Sequence, residues 1–287
     1  MAAETQAAER ELAGLDSLEL PIEPRKSFGE RIWSSAWPIL VAVTIVLLLW
    51  ELAVLLELRP TYVLPDPITV LSRLLTDLTT NDLILAVSIT LRRAATGFAL
   101  ALVIGTLIGL AIVRFRLLRA GIASLITGLQ TMPSIAWFPL AILVFGLSEA
   151  AILFVVILGA APSVANGLIS GVDYIPRVLI RAGKVLGAHG LAAYRFVILP
   201  AAFPSFISGM KQAWAFAWRS LMAGELLVII AGQPSIGVRL QLSRELSDAP
   251  GLLATMIVVL LVGVVVDLAV FGTMERVVRR RWGLLEA

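Results

Sequence analysis

The chain has 287 residues, 59% hydrophobic and 15% charged, with a mean hydropathy of +0.94. Soluble domains run at about 45–50% apolar and about 25% charged, so a polytopic membrane protein is the expected class. The absence of cysteine and the single histidine, His189, exclude disulfide staples, thiolate metal sites and an imidazole metal cluster. The pI of about 9.7 comes from Lys and Arg that flank apolar runs and form no single stripe, so it points to membrane topology and not to nucleic acid.

In chain order, residues 1–35 read as a cytoplasmic extension, acidic at first and then basic at Arg25, Lys26 and Arg31. They lack the short apolar run and small-residue cleavage site of a secretory signal. Six spans are expected, at 36–56, 83–113, 121–145, 148–169, 203–230 and 250–270. In lipid each backbone amide needs a partner within its own segment, so the predicted fold class is an all-α bundle of six transmembrane helices. Pro60, Pro65 and Pro67 mark an external loop that leads into an amphipathic surface helix ending near Leu78. Arg92 and Arg93 fall within the second apolar block, which places the part before Gly97 at the interface or against protein. Gly105 and Gly109 form a small-xxx-small pair that lets helices approach closely. Pro133 and Pro139 break the third span, and residues 232–250 read as an external loop or short helix. A basic tail, 277–287, closes the chain.

Charge bias orients the spans. With the N-terminus inside, the inner segments hold Arg10, Arg25, Lys26 and Arg31, then Arg114, Arg116 and Arg119. They also hold Arg177, Arg181, Lys184 and Arg195, and finally Arg276, Arg279, Arg280 and Arg281. The outer segments hold Arg59, Arg73, Arg239 and Arg244, so the count is 15 against 4 and both termini are expected in the cytoplasm.

That orientation makes residues 177–204, RVLIRAGKVLGAHGLAAYRFVILPAAFP, cytoplasmic. Pro176 suits the first turn of a helix, and Val178, Leu179, Val185 and Leu186 are apolar while Arg177, Arg181 and Lys184 occupy another face. Gly187 ends or bends this helix, and Pro200 leads into the next span. Ala182, Gly183, Gly187 and Ala188 form a small-residue patch that a groove of another protein could approach. Residue chemistry alone leaves two readings open, an ordinary interfacial helix or a docking segment.

The spacing within this stretch resembles the signature of inner-membrane permeases of binding-protein-dependent ABC importers, E-A-A-x3-G-x9-I-x-L-P. Here it reads Arg181-Ala182-Gly183, three residues, Gly187, nine residues, Val197, one residue, Leu199-Pro200. Arg181 and Gly183 stand where the signature has Glu and Ala. SITLRRAATGFALALVIGTLIGL, MPSIAWFPLAILVFG and MERVVRRRW are similar to the nitrate/sulfonate/taurine branch, so the resemblance runs over about residues 38–282. It implies a type I importer permease domain over 36–276, with a coupling helix in 177–200 docked on a cytoplasmic ATPase. Arg181, Ala182, Gly183, Leu186, Gly187, Ala188, His189, Leu199 and Pro200 are the expected coupling residues. The implied partners are a second copy of the chain, two ATPase subunits that bind ATP and Mg, an extracytoplasmic solute-binding protein and the bilayer of the cell membrane. This chain carries no G-x-x-x-x-G-K-[ST] phosphate loop, so no cofactor and no catalytic residue are expected in it.

Polar residues deep in a span are candidates for function. On a helical wheel Lys211, Trp214, Trp218, Met222 and Glu225 share one face, with Gln212 and Arg219 beside it. The expected pathway is Trp214, Trp218, Arg219 and Glu225, joined by Trp137, Pro139 and Asn166; for the two tryptophans core packing stands as an equal alternative. Asp267 is expected to pair with a basic neighbour. Arg219 suits an anion, aliphatic sulfonate or taurine first, with nitrate or another small nitrogen compound as the alternative. A secondary transporter would show inverted repeats, of which none is evident. An intramembrane enzyme would need a nucleophile–base pair or a metal cluster.

Overall fold

The computed structural model describes residues 28–281 and forms two units that divide after Leu58. Most of the extension expected over 1–35, and residues 282–287 of the basic tail, lie outside the described residues. The first unit is α1, Phe28–Leu55, whose stretch Ala36–Leu55 is long and apolar enough to span a bilayer. Helix therefore begins eight positions before the first expected span.

The second unit opens with α2, Pro67–Leu78. Asp66 caps it, with Oδ2 accepting from the Thr69 amide at 2.9 Å and Oδ1 from the Thr69 hydroxyl at 2.7 Å. The Thr69 hydroxyl bond, then the backbone bond, hold the Asp66 carboxyl below its ordinary range. Next come α3 (Asn81–Arg114), α4 (Arg116–Thr131), a 3₁₀ turn at Ser134–Trp137, α5 (Phe138–Phe145) and α6 (Glu149–Asp173). The chain continues through α7 (Arg177–Val185), α8 (Leu191–Leu227) and α9 (Ile236–Glu245). The last helix, α10, covers 249–281 in three consecutive pieces, with a π-turn at Asp267–Phe271.

Helix α6 is the centre of the unit, because its inward positions are small or β-branched and its neighbours pack tightly on them. An added Cβ on Gly105 of α3 would lie 2.5 Å from the Ala161 carbonyl oxygen, and one on Gly109 would lie 3.1 Å from Leu168 Cδ2. On the other flank, a Cβ on Gly209 of α8 would lie 2.5 Å from Gly167 Cα, so the two backbones touch. Small residues allow such contact where lipid supplies no hydrophobic drive between helices. Ile152, Val155, Val156, Ala160 and Val164 are fully buried in the core that results.

These contacts fix the direction of each helix. Gly97 meets Val156 and Gly109 meets Leu168, so α3 and α6 run parallel; Gly171 meets Ala202 and Gly224 meets Ile152, so α8 runs antiparallel to α6. Two parallel neighbours in sequence need a return crossing between them, which only α4 and α5 can supply. Their axes bend by 96° around Pro133. The third span is therefore a broken crossing and not a loop that dips in and retreats. With α10 antiparallel to α8, the second unit crosses five times and α1 is the sixth span-length helix.

The fifth span begins earlier than residue 203. Helix runs without a stop from Leu191 through a π-turn at Tyr194–Ile198, where the Leu199 amide donates to the Tyr194 carbonyl. This widening comes directly before Pro200, whose ring would otherwise press on the carbonyl four residues back. Pro200 thus sits inside a continuous helix and does not start a new one. The last helix likewise runs past residue 276 to Arg281, with no break at the expected start of the tail.

Candidate translocation site

Along α8, between the exposed apolar residues Phe203 and Leu227, the exposed residues are Ser208, Gln212 and Arg219, all polar. Spacings of four and seven residues at 100° each align them in one stripe. On α10 between 249 and 270 every exposed residue is apolar, among them Met256, Leu260, Leu261, Val264 and Val265. Polar side chains facing hydrocarbon are costly, so the α8 stripe is built to meet water or protein while the α10 surface around Leu261 and Val265 suits lipid.

Beside the stripe lies a polar cleft of about 350 Å³, lined by Gln130, Asn166, Ser170, Ser205, Ser208 and Gln212 with Gly167 and Gly209. The Asn166 Nδ2 donates to Gln130 Oε1 at 2.7 Å, and Gln130 Nε2 donates to Ser163 Oγ at 3.0 Å, which orients both amides. A second cleft, of about 300 Å³, shares Ser205 and Ser208 and adds Pro204, Ile207, Lys211, Glu275 and Val278. Lys211 Nζ is 3.3 Å from Asp267 Oδ2, the basic partner expected for Asp267. A third cleft, of about 630 Å³, opens between α8 and α10 and includes Trp214, Trp218 and Arg219.

The expected pathway residues therefore separate. Asn166 joins the polar cleft and Arg219 ends the stripe. Trp218 lines the third cleft. Trp214 borders that cleft but is mainly core, edge-on to Phe98 at 5.5 Å and stacked on Trp218 at 6.0 Å. Trp137 packs against the core beside Phe138, and Pro139 is exposed at the start of α5; neither lines any of these three clefts.

Glu225 departs from the expectation. It is fully buried and held by protein: Oε1 accepts from Arg93 Nη1 at 3.0 Å, and Oε2 accepts from the Thr90 hydroxyl at 2.9 Å and the Gly237 amide at 3.1 Å. Arg93 also donates to Gln233 Oε1 at 2.6 Å and Glu149 Oε1 at 3.3 Å, while Arg92 reaches Glu149 at 2.9 Å. Two guanidiniums balance two carboxylates where α3, α6, α8 and the start of α9 meet. A helical wheel gives the direction of a side chain on its own helix but not that the 231–237 turn folds over it. Nearby, Asp77 joins Arg73 and Arg239 at 3.3 and 2.8 Å, and Arg73 joins Asp248 at 3.0 Å, tying α2 to α9 and α10.

Ser205, Ser208 and Gln212 were not singled out by the face that contains the tryptophans. Their signal is the polar repeat Ser205, Ser208, Gln212, Arg219, which recurs every three, four and seven residues.

At the opposite end of the unit, α7 closes with paired reverse bonds: the Gly187 amide donates to the Lys184 carbonyl at 3.0 Å, and the Ala188 amide to the Gly183 carbonyl at 2.9 Å. This closure needs a left-handed residue, and Gly187 supplies φ of +84° with open space around it. Gly183 is not part of an open patch, because an added Cβ there would lie 2.6 Å from Val197 Cγ2. Arg181, Ala182, Leu186 and His189 point outward, Ala188 and Pro200 are partly covered, and Leu199 is half-exposed. Val185, Leu186 and Leu191 are 87–88% exposed, an apolar tip on a basic segment.

Comparison with known proteins agrees with this architecture. The profile of the binding-protein-dependent transport system inner membrane component matches residues 101–282. A probable ABC transporter permease of Brucella melitensis is 31% identical over 205 residues, covering 71% of this chain and 82% of that protein. The taurine transport permease TauC of Escherichia coli is 27% identical over 84% of this chain and 90% of its own length. The inward-facing MetNI methionine ABC transporter shares the fold, with a TM-score of 0.58 at 18% identity over 69% of this chain and 96% of that one. The chain belongs to the inner-membrane permease components of binding-protein-dependent ABC importers.

Proposed function

We propose that this permease, paired with a second copy, forms the route for a small anionic solute, an aliphatic sulfonate or taurine-like compound first and nitrate as the alternative. The observation that carries the reading is the polar stripe Ser208, Gln212 and Arg219, the exposed residues along the middle of α8, ending in the cation Arg219. Two cytoplasmic ATPase subunits, which bind ATP and Mg, engage the 177–200 segment through Arg181, Leu186 and His189. A solute-binding protein meets the opposite end, near α2 and α9. Closure of the ATPases then rocks the two permeases between inward- and outward-facing states. Both termini lie in the cytoplasm of the cell.

ATP-driven uptake into proteoliposomes containing the full complex tests this reading with taurine, ethanesulfonate and nitrate. Arg219→Ala is expected to lower uptake of the transported anion at least tenfold while the complex stays assembled. Undiminished uptake of every anion removes Arg219 from the route.

A further inference from the structure

Arg219 belongs to two surfaces. It ends the polar stripe, and it also borders the cleft of about 630 Å³ between α8 and α10, a volume within the roughly 300–1,000 Å³ usual for small-molecule sites. The remaining wall is apolar, formed by Trp214 and Trp218 on one side and Met256, Leu260, Gly263 and Val264 on the other. Asp267, farther along, is held by Lys211 at 3.3 Å.

The donors at this cleft are under-used. Arg219 Nε donates to the Ala215 carbonyl at 3.2 Å and the guanidinium lies 5.2 Å from the Phe216 ring centre, but it meets no carboxylate among the described residues. The Trp218 indole N–H has no acceptor among them either. That edge of the indole lies beside Gly263, where an added Cβ would lie 3.0 Å from Trp218 Nε1, so no α10 side chain covers it there. An apolar trough with an unneutralised cation and a free N–H complements an anion that carries an apolar tail. It does not complement a bare inorganic anion, which would leave the trough empty.

We propose that this cleft is a tail subsite. The anionic head binds Arg219 and the Trp218 N–H, and the alkyl tail lies between the stacked indoles and the Met256–Val264 face of α10. The permease then selects for tail length in addition to any choice made by the solute-binding protein. This rests on the Arg219 pathway reading above.

The test is equilibrium binding of radiolabelled nitrate, ethanesulfonate, butanesulfonate and hexanesulfonate to the permease–ATPase complex in nanodiscs, without the solute-binding protein. Full burial strengthens binding about fourfold per methylene; for an open cleft about twofold is expected, so hexanesulfonate should bind at least tenfold tighter than ethanesulfonate. Met256→Trp, at an exposed position on the cleft rim, should flatten this slope. Leu261→Trp, exposed on α10 outside the cleft, should leave it intact. Arg219→Gln should weaken all the sulfonates about tenfold.

A flat slope in the wild type, or one unchanged by Met256→Trp, overturns the subsite. A co-purifying phospholipid that hexanesulfonate fails to displace also overturns it, as does release of monomeric permease by Met256→Trp, which would make the cleft a seat for the second copy. If Arg219→Gln weakens every anion while the slope is flat, only the subsite falls. If Arg219→Gln changes nothing, the pathway reading falls with it.

Discussion

Arg93 Nη1 and Glu225 Oε1 are 3.0 Å apart although the residues are separated by 132 positions, and their side chains are 3% and 0% exposed. Removing one member of such a pair leaves an uncompensated buried charge, which costs about 3–5 kcal/mol. Arg93→Ala and Glu225→Ala should each lower the thermal unfolding midpoint of the purified complex sharply. The double change Arg93→Met with Glu225→Leu should recover only part of the loss, because the Gly237 amide and Gln233 still lose their partners. Full recovery would mean that the network adds nothing beyond the charge pair.

Two glycines with opposite surroundings offer a comparison inside one protein. Gly209 touches the Gly167 backbone, whereas a Cβ on Gly128 of α4 meets nothing within 4 Å. Gly209→Ala should force α6 and α8 apart and prevent recovery of a folded, monodisperse complex. Gly128→Ala should be neutral or stabilise by up to about 1 kcal/mol through helix propensity. Limited proteolysis and size exclusion read both results, and equal behaviour of the two variants would contradict the packing.

The 177–200 segment makes a similar distinction. At Gly187 the difficulty is backbone conformation, so Gly187→Ala should cost about 1–2 kcal/mol locally. At Gly183 the difficulty is Val197, so Gly183→Ala should push α7 away from α8 and reduce transport-coupled ATP hydrolysis, with Val197→Ala restoring it. ATP turnover measured against uptake is the readout. Failure of Val197→Ala to rescue would show that the two residues act separately.

Because the chain has no cysteine, single-cysteine variants carry no background. Ser208→Cys and Gln212→Cys should react with a membrane-impermeant, water-soluble thiol reagent in inside-out and right-side-out vesicles taken together. Leu261→Cys and Val265→Cys, on the apolar surface of α10, should not. Equal labelling of both sets would remove the contrast between the two helices.

How far the fold is legible in the sequence differs from element to element. The spans follow from apolar length, and the turn at Gly187 from its glycine within a polar stretch. Pro133 announces a break in the third span, but the 96° bend depends on where Trp137 and Phe138 pack against α6 and α8, which no local pattern encodes. The pairing of Asp267 was legible because few charges lie in the spans. The partner of Glu225 was not, since the contact is made 132 residues away and is closed by the backbone of Gly237, whose lack of a side chain gives no chemical hint. Arg219 and Asn166 stood out as isolated polar residues. The serines beside them are common in packed helices and acquire meaning only once α8 is seen to expose them.

The broken third crossing has a consequence for the whole assembly. From Arg59 to Arg281 the chain passes through the bilayer an odd number of times, so the α2–α9 end and the α7 end never share a compartment. One continuous helix, α8, joins the two: it begins beside the apolar tip at Leu186 and Leu191 and finishes at the Glu225 lock. An event in one compartment can therefore reach the other along a single rod, without passing through a hinge between domains.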